Sequence, residues 1–137
     1  MIKVKANLLR FDTIDHIGIK FPKDCEINIP ESISITEHDN CSRCIGHITF
    51  TERNDSFIKI EGVIDFDFGD EIEDNLISLI KNQDIYVGGY YRINKESKEH
   101  KDSGTRIMKS LDLISVGLYY DDIYGDKTTV LEVLEDD

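Results

Sequence analysis

Apolar and polar residues alternate from the start of the chain, with Ile2, Val4, Ala6 and Leu8 interleaved among Lys3, Lys5 and Asn7. A period of two puts the apolar set on one face, so a strand with one buried side is expected here. Phe11 to Asp24 carries Asp, Gly and Pro punctuation and reads as a connection, followed by short strands at Ile27-Asn28-Ile29 and Ile33-Ser34-Ile35, divided by Pro30. Ile45 to Thr51 and Phe57 to Asp65 read as a hairpin across the polar loop Glu52-Arg53-Asn54-Asp55-Ser56, with the strand period holding through Phe66. The period then changes. Ile72, Leu76, Leu79 and Ile80 recur at helical spacing, which predicts a helix from Glu71 to Lys81 with Asp70 as its N-cap.

Strand composition returns at Ile85 to Ile93, where Gly88 and Gly89 should weaken the strand, mark a bulge or admit a close backbone neighbour. Asn94 to Gly104 is charged and without period, and reads as a loop. Thr105 to Tyr119 is expected as one long strand or two broken ones, Asp121 to Asp126 as a turn around Gly125, and Thr128 to Leu134 as a terminal strand. About seven strands around one helix predict a mainly β (α+β) domain: an antiparallel β-barrel or sandwich with a single packed helix. At 137 residues the chain is expected to form one domain, spanning 1–137.

Charge narrows the choice of partners. A net charge of −12 opposes phosphate backbones, so nucleic acid is not an expected partner. No apolar run approaches the roughly 20 residues of a membrane-spanning helix, and Met1-Ile2-Lys3-Val4-Lys5 lacks the apolar core of a secretory signal. The expected location is therefore the cytoplasm in which the chain is made. Three cysteines there read as reduced thiols or metal ligands. Acidic residues gather in Asp65 to Asp74 and at Glu132, Glu135, Asp136 and Asp137, either as solvated surface or as a docking face for a basic protein.

His38-Asp39-Asn40-Cys41-Ser42-Arg43-Cys44-Ile45-Gly46-His47 carries the densest candidate chemistry, with His38, Cys41, Cys44 and His47 spaced three apart. One reading is a structural zinc site formed by those four side chains, in which Gly46 lets backbone amides turn toward the thiolates. The other is that no cofactor is bound, the cysteines are free thiols in a loop, and only His38 matters, as a general base. Cys25, His16 and His100 are the remote residues that could complete a metal shell; otherwise both histidines read as exposed polar residues. The acidic stretch from Asp65 to Asp74 lacks the ordered loop of a calcium site. Tyr90-Tyr91 and Tyr119-Tyr120 each send one ring to each strand face, leaving outward tyrosines suited to a protein interface.

The order of these pieces resembles the head-maturation (prohead) protease family of tailed bacteriophages, whose fold is related to the herpesvirus assembly protease. Phe11-Asp12-Thr13-Ile14-Asp15-His16-Ile17-Gly18 is similar to that family's opening Phe-Asp-x-x-Asp-x-x-Gly turn, and His38-Asp39 to its His-Asp pair. Ile45-Gly46 then precedes a hairpin ending in Ile60-Glu61-Gly62-Val63-Ile64, followed by the helix, a strand with Gly89-Tyr90, and Leu111-Asp112-Leu113-Ile114-Ser115-Val116. The family's Ser-x-Gly-(Tyr or Phe) motif lays its nucleophilic serine on Val87, or on Gly88 if the register shifts by one. Neither can attack a carbonyl.

The resemblance implies a prohead-protease-like fold without its chemistry: a non-catalytic phage protein, made in the host cytoplasm and located in the virion. It would be an auxiliary or structural component that contacts capsid or other virion proteins in repeated copies. Two alternatives stay open. In one, Ser115 serves as nucleophile with His38 in an active head-maturation protease that processes capsid or scaffold. Ser78, on the helix, and Cys41 or Cys44 paired with His38 are weaker nucleophile candidates. In the other, the chain is a small acidic binding protein of the immunity type.

Overall fold

The computed structural model describes residues 1–37, 43–65, 70–97 and 104–134. The first strand, β1 (Ile2–Arg10), follows the expected alternation as far as Asn7, after which Leu8 and Leu9 are both buried. A bulge permits this. The pairing with the hairpin's second strand slips between Asn7 and Leu9, so the face that looks inward is reset by one residue.

Two very short strands follow, β2 (Ile19–Lys20) and β3 (Glu26–Asn28), then β4 (Ser34–Thr36) beyond Pro30. β2 lies within the segment expected to be a plain connection. The hairpin forms as β5 (Cys44–Arg53) and β6 (Phe57–Ile64), closed by Asn54, whose Oδ1 accepts the backbone N–H groups of Ser56 and Phe57 at 2.8 Å each. The helix α1 (Asp70–Lys81) appears where its period predicts. Phe66, at the far end of the expected strand, and the Asp70 side chain, expected as N-cap, lie outside what the structure describes.

α1 ends in a Schellman-type cap: the Gln83 N–H bonds to the Ile80 carbonyl and the Asp84 N–H to the Leu79 carbonyl, both at 3.0 Å. Gln83 itself takes the left-handed conformation, at φ 62°. The chain then runs through β7 (Tyr86–Glu96) and β8 (Arg106–Tyr119) to β9 (Glu132–Val133). β7 extends beyond the expected end at Ile93 into the supposed loop, because Lys95 and Glu96 pair with Ser110 and Met108. Of the expected terminal strand Thr128 to Leu134, only β9 keeps strand geometry.

The sheet corrects the antiparallel expectation. β8 pairs antiparallel with β7 along one edge, while β2, β3 and β4 lie in turn along its other edge, all parallel to it. From β4 the order continues through β5, β6 and β1 to β9. The result is a mainly β fold with one helix, in which the sheet curls but does not close into the expected barrel. Between β7 and the segment before β9 there is one isolated bridge, Tyr86 to Val130, flanked by bonds from the Val87 and Leu131 N–H groups.

The concave side holds the core. Ile58, Val116, Leu8, Leu9, Ile64, Leu111 and Leu131 are almost fully buried, and α1 adds Ile80, with Leu76 and Leu79 packed at its margin. No helix among the described residues is long and apolar enough to cross a membrane.

Candidate functional site

The open side of the curled sheet forms a cleft of about 1040 Å³. Leu8 and Leu9 of β1, Ile85 and Gly88 to Tyr91 of β7, and Leu76 and Leu79 of α1 line it, together with Ile19, Phe21 and Ile45. Its floor is apolar because the bulge in β1 keeps two successive leucines inward where β1 and β7 fail to pair.

Two loops make the rim and are fastened to each other. Asp15 is buried, and its Oδ1 accepts the Ile17 and Ile19 N–H groups at 3.0 and 2.9 Å, fixing the turn at Gly18. His16 donates its backbone N–H to the Ile123 carbonyl at 2.8 Å, and its Nδ1 lies 3.0 Å from the same oxygen. A carbonyl only accepts, so that ring nitrogen carries the proton. Behind this rim Arg10 stacks 4.8 Å over the Tyr124 ring and pairs with Asp126 at 2.6 Å. The Tyr124 hydroxyl donates to the Arg10 carbonyl at 3.1 Å and accepts the Arg10 N–H at 3.0 Å; burial pushes its pKa up to about 12.

Among the described residues the charged side chains lining the cleft are mostly acidic: Asp15, Glu37 and Asp121, with Arg43, whose guanidinium bonds Glu37 at 2.9 Å. Large apolar side chains stand exposed beside them: Ile17 is 64% and Tyr120 is 74% exposed, and Tyr90 is 47%.

Inside the cleft, Gly88 and Gly89 make room for rings rather than for another backbone. A Cβ on Gly88 would meet the Tyr119 ring at 2.9 Å, and one on Gly89 would meet the Tyr91 ring at 2.2 Å. The Tyr91 hydroxyl is buried with no hydrogen-bond partner among the described residues, and burial raises its pKa well above the ordinary phenol value.

Of the proteolytic candidates, Val87, Ser115 and Ser78 lie among the described residues and His38 does not. Val87, at the position the resemblance gives to the nucleophile, is 2% exposed and belongs to the core. Ser115 is buried in the middle of β8, engaged with its surroundings, between ladder partners Ser34 and Tyr90. His38 lies outside the described residues. Ser78 is exposed on α1.

The zinc tetrad is divided in the same way. His38 and Cys41 lie outside the described residues, whereas Cys44 and His47 are exposed on β5. The Cys44 thiol donates to the Gly46 carbonyl at 3.3 Å. Gly46 is a strand residue. It lies within β5, where a Cβ would fall 2.1 Å from the Val63 carbonyl oxygen, so close strand approach explains the glycine. Among the described residues no three His, Cys, Asp or Glu side chains gather as a metal site. Cys25 is buried, and burial pushes its thiol up to about 11. His100 lies outside the described residues.

Sequence reasoning missed the cleft, because it is assembled from segments spread over most of the chain. Its one local signal was Gly88-Gly89 beside Tyr90-Tyr91: two residues without side chains next to two large rings. Comparison with protein-family models, with curated proteins and with solved structures gives no match.

Proposed function

We propose that this chain is a non-catalytic phage virion protein, an auxiliary or structural component that works by contact with capsid or other virion proteins. The observation that carries the reading is Val87. The family resemblance requires an activated hydroxyl at this position, and the residue present is apolar, 2% exposed and packed into the core. Ser115, the other serine considered as a nucleophile, is buried within β8, which favours the non-catalytic reading. What the fold does offer is surface: an open apolar cleft with an acidic mouth and exposed tyrosines.

Two measurements on phage particles test the proposal. Quantitative mass spectrometry of purified virions should find the protein in repeated copies, and incubation with the cognate capsid or scaffold protein should produce no cleavage. Absence from mature particles, with cleavage that disappears in His38→Ala or Ser115→Ala, would establish the protease reading instead.

A further inference from the structure

We infer that the cleft is the docking site for a basic polypeptide segment carrying apolar side chains. The inference rests on the reading of the chain as a binding protein and names the chemistry of the partner. Three observations lead to it.

The first is size and shape. At about 1040 Å³, the cleft lies at the upper end of what small-molecule pockets reach, and it opens outward between two loops. The second is what stands at its mouth. Ile17 and Tyr120, 64% and 74% exposed, belong to the lining, where a small ligand held deep in the cleft would leave both in water. A chain lying across the mouth would cover them while sending side chains onto the apolar floor. The third is charge. Among the described residues lining the cleft, Arg43 is matched by Glu37, Asp121 adds an uncompensated carboxylate and buried Asp15 a further negative charge behind the rim, and the whole protein carries −12, so lysine or arginine flanking the apolar residues is attracted and an acidic segment is repelled. The rim needs little reorganisation to receive it, because Asp15 and His16 already hold the two loops in place.

The test uses the full chain and three fluorescent peptides of equal length, alternating Leu with Lys, Leu with Glu, and Ser with Lys, followed by fluorescence anisotropy. The Leu–Lys peptide should bind at least about tenfold more tightly than either of the others. Ile17→Ser with Tyr120→Ala, two exposed positions whose change leaves the core intact, should weaken that binding by about tenfold or more. Phe50→Ala, which removes an exposed ring from β5, should leave it unchanged. Equal binding of Leu–Lys and Ser–Lys would mean attraction by net charge alone and would overturn the inference, as would tight binding of Leu–Glu, no binding at all, or indifference to the double variant. Virion incorporation is read separately: a chain that fails with these peptides yet remains in particles loses this docking site and keeps its proposed role.

Discussion

The Tyr91 ring occupies the space that a side chain on Gly89 would need: a Cβ built there falls 2.2 Å from the ring's Cζ and 2.3 Å from its hydroxyl oxygen. The two residues stand two apart on β7, so the glycine is what allows the tyrosine to fold back over its own strand. Tyr91 in turn contacts Phe21, with ring centroids 5.6 Å apart, and so fastens the loop before β3 to β7.

Gly89→Ala should therefore destabilise the protein by about 1–3 kcal/mol, through overpacking against a ring held on its far side. Tyr91→Phe should have the opposite sign or no effect, because it removes a buried hydroxyl with no partner among the described residues and keeps the ring. Chemical denaturation of the two variants checks both. A loss above about 1 kcal/mol in Tyr91→Phe would show that the hydroxyl has a partner after all.

The cap of α1 suggests a stabilising change. Gln83 adopts φ 62° at a position that glycine occupies without steric penalty. Gln83→Gly should raise stability by about 0.5–1 kcal/mol, since relief of left-handed strain exceeds the added freedom of the unfolded chain. Thermal unfolding measures it. A lower midpoint would mean that the Gln83 side chain contributes more than its backbone loses.

Two cysteines should separate by reactivity. Cys44 is exposed and Cys25 is buried with its pKa raised to about 11, so iodoacetamide should label Cys44 first and Cys25 only on unfolding. The same shift predicts an alkaline limit. The unfolded thiol ionises near 9.0 and the native one near 11, so stability is intact below pH 9.0 and is lost as pH rises from there to about 11. Tyr91 acts in the same direction at higher pH. Urea midpoints followed from pH 8 to 11 should fall, and fall less steeply in Cys25→Ala.

An acid limit follows from Asp112. Its Oδ1 accepts the amides of Asn28 at 2.7 Å and Asn94 at 3.0 Å, and its Oδ2 accepts Nε of Arg92 at 3.0 Å, so one carboxylate joins β3, β8 and β7. Hydrogen bonds from Asn28, then Arg92 and Asn94, hold its pKa below the ordinary 3.8. A depressed value stabilises the fold above that pH and ceases to do so as pH falls below it. Asp126 adds to the same limb, through Thr128 and then Arg10. Asp112→Asn should lower stability at neutral pH and flatten the decline below pH 3.8, as read from denaturation midpoints across the acid range.

Legibility in the sequence followed the length over which a period persists. β1, the β5–β6 hairpin and α1 were predictable because six or more residues kept one rhythm and turn formers such as Asn54 marked their ends. Leu8-Leu9 broke the rhythm, and only pairing with β6 shows that a bulge resolves it. β2, β3 and β4 hold two or three residues each, too few to reveal a partner or its direction. Their parallel alignment on β8 is a tertiary result. The failure to close has the same origin: Thr128 to Leu134 had strand composition, but Val130 makes one bridge to β7 and the ladder stops. For the site, the resemblance directed attention to His38, Val87 and Ser115, whereas the cleft depends on where β1 and β7 part.

The long strand β8 has a consequence for how the molecule is made. β2 and β3 find their parallel sheet partner at residues 106 to 112, so during synthesis they leave the ribosome well before that strand, whereas β4 can pair with β5 as soon as the hairpin emerges. The β5–β6 hairpin and its match with β1 can assemble earlier. The strands from Ile19 to Asn28 must wait for their place in the sheet, exposed to chaperones and proteases, until roughly the last quarter of the chain emerges.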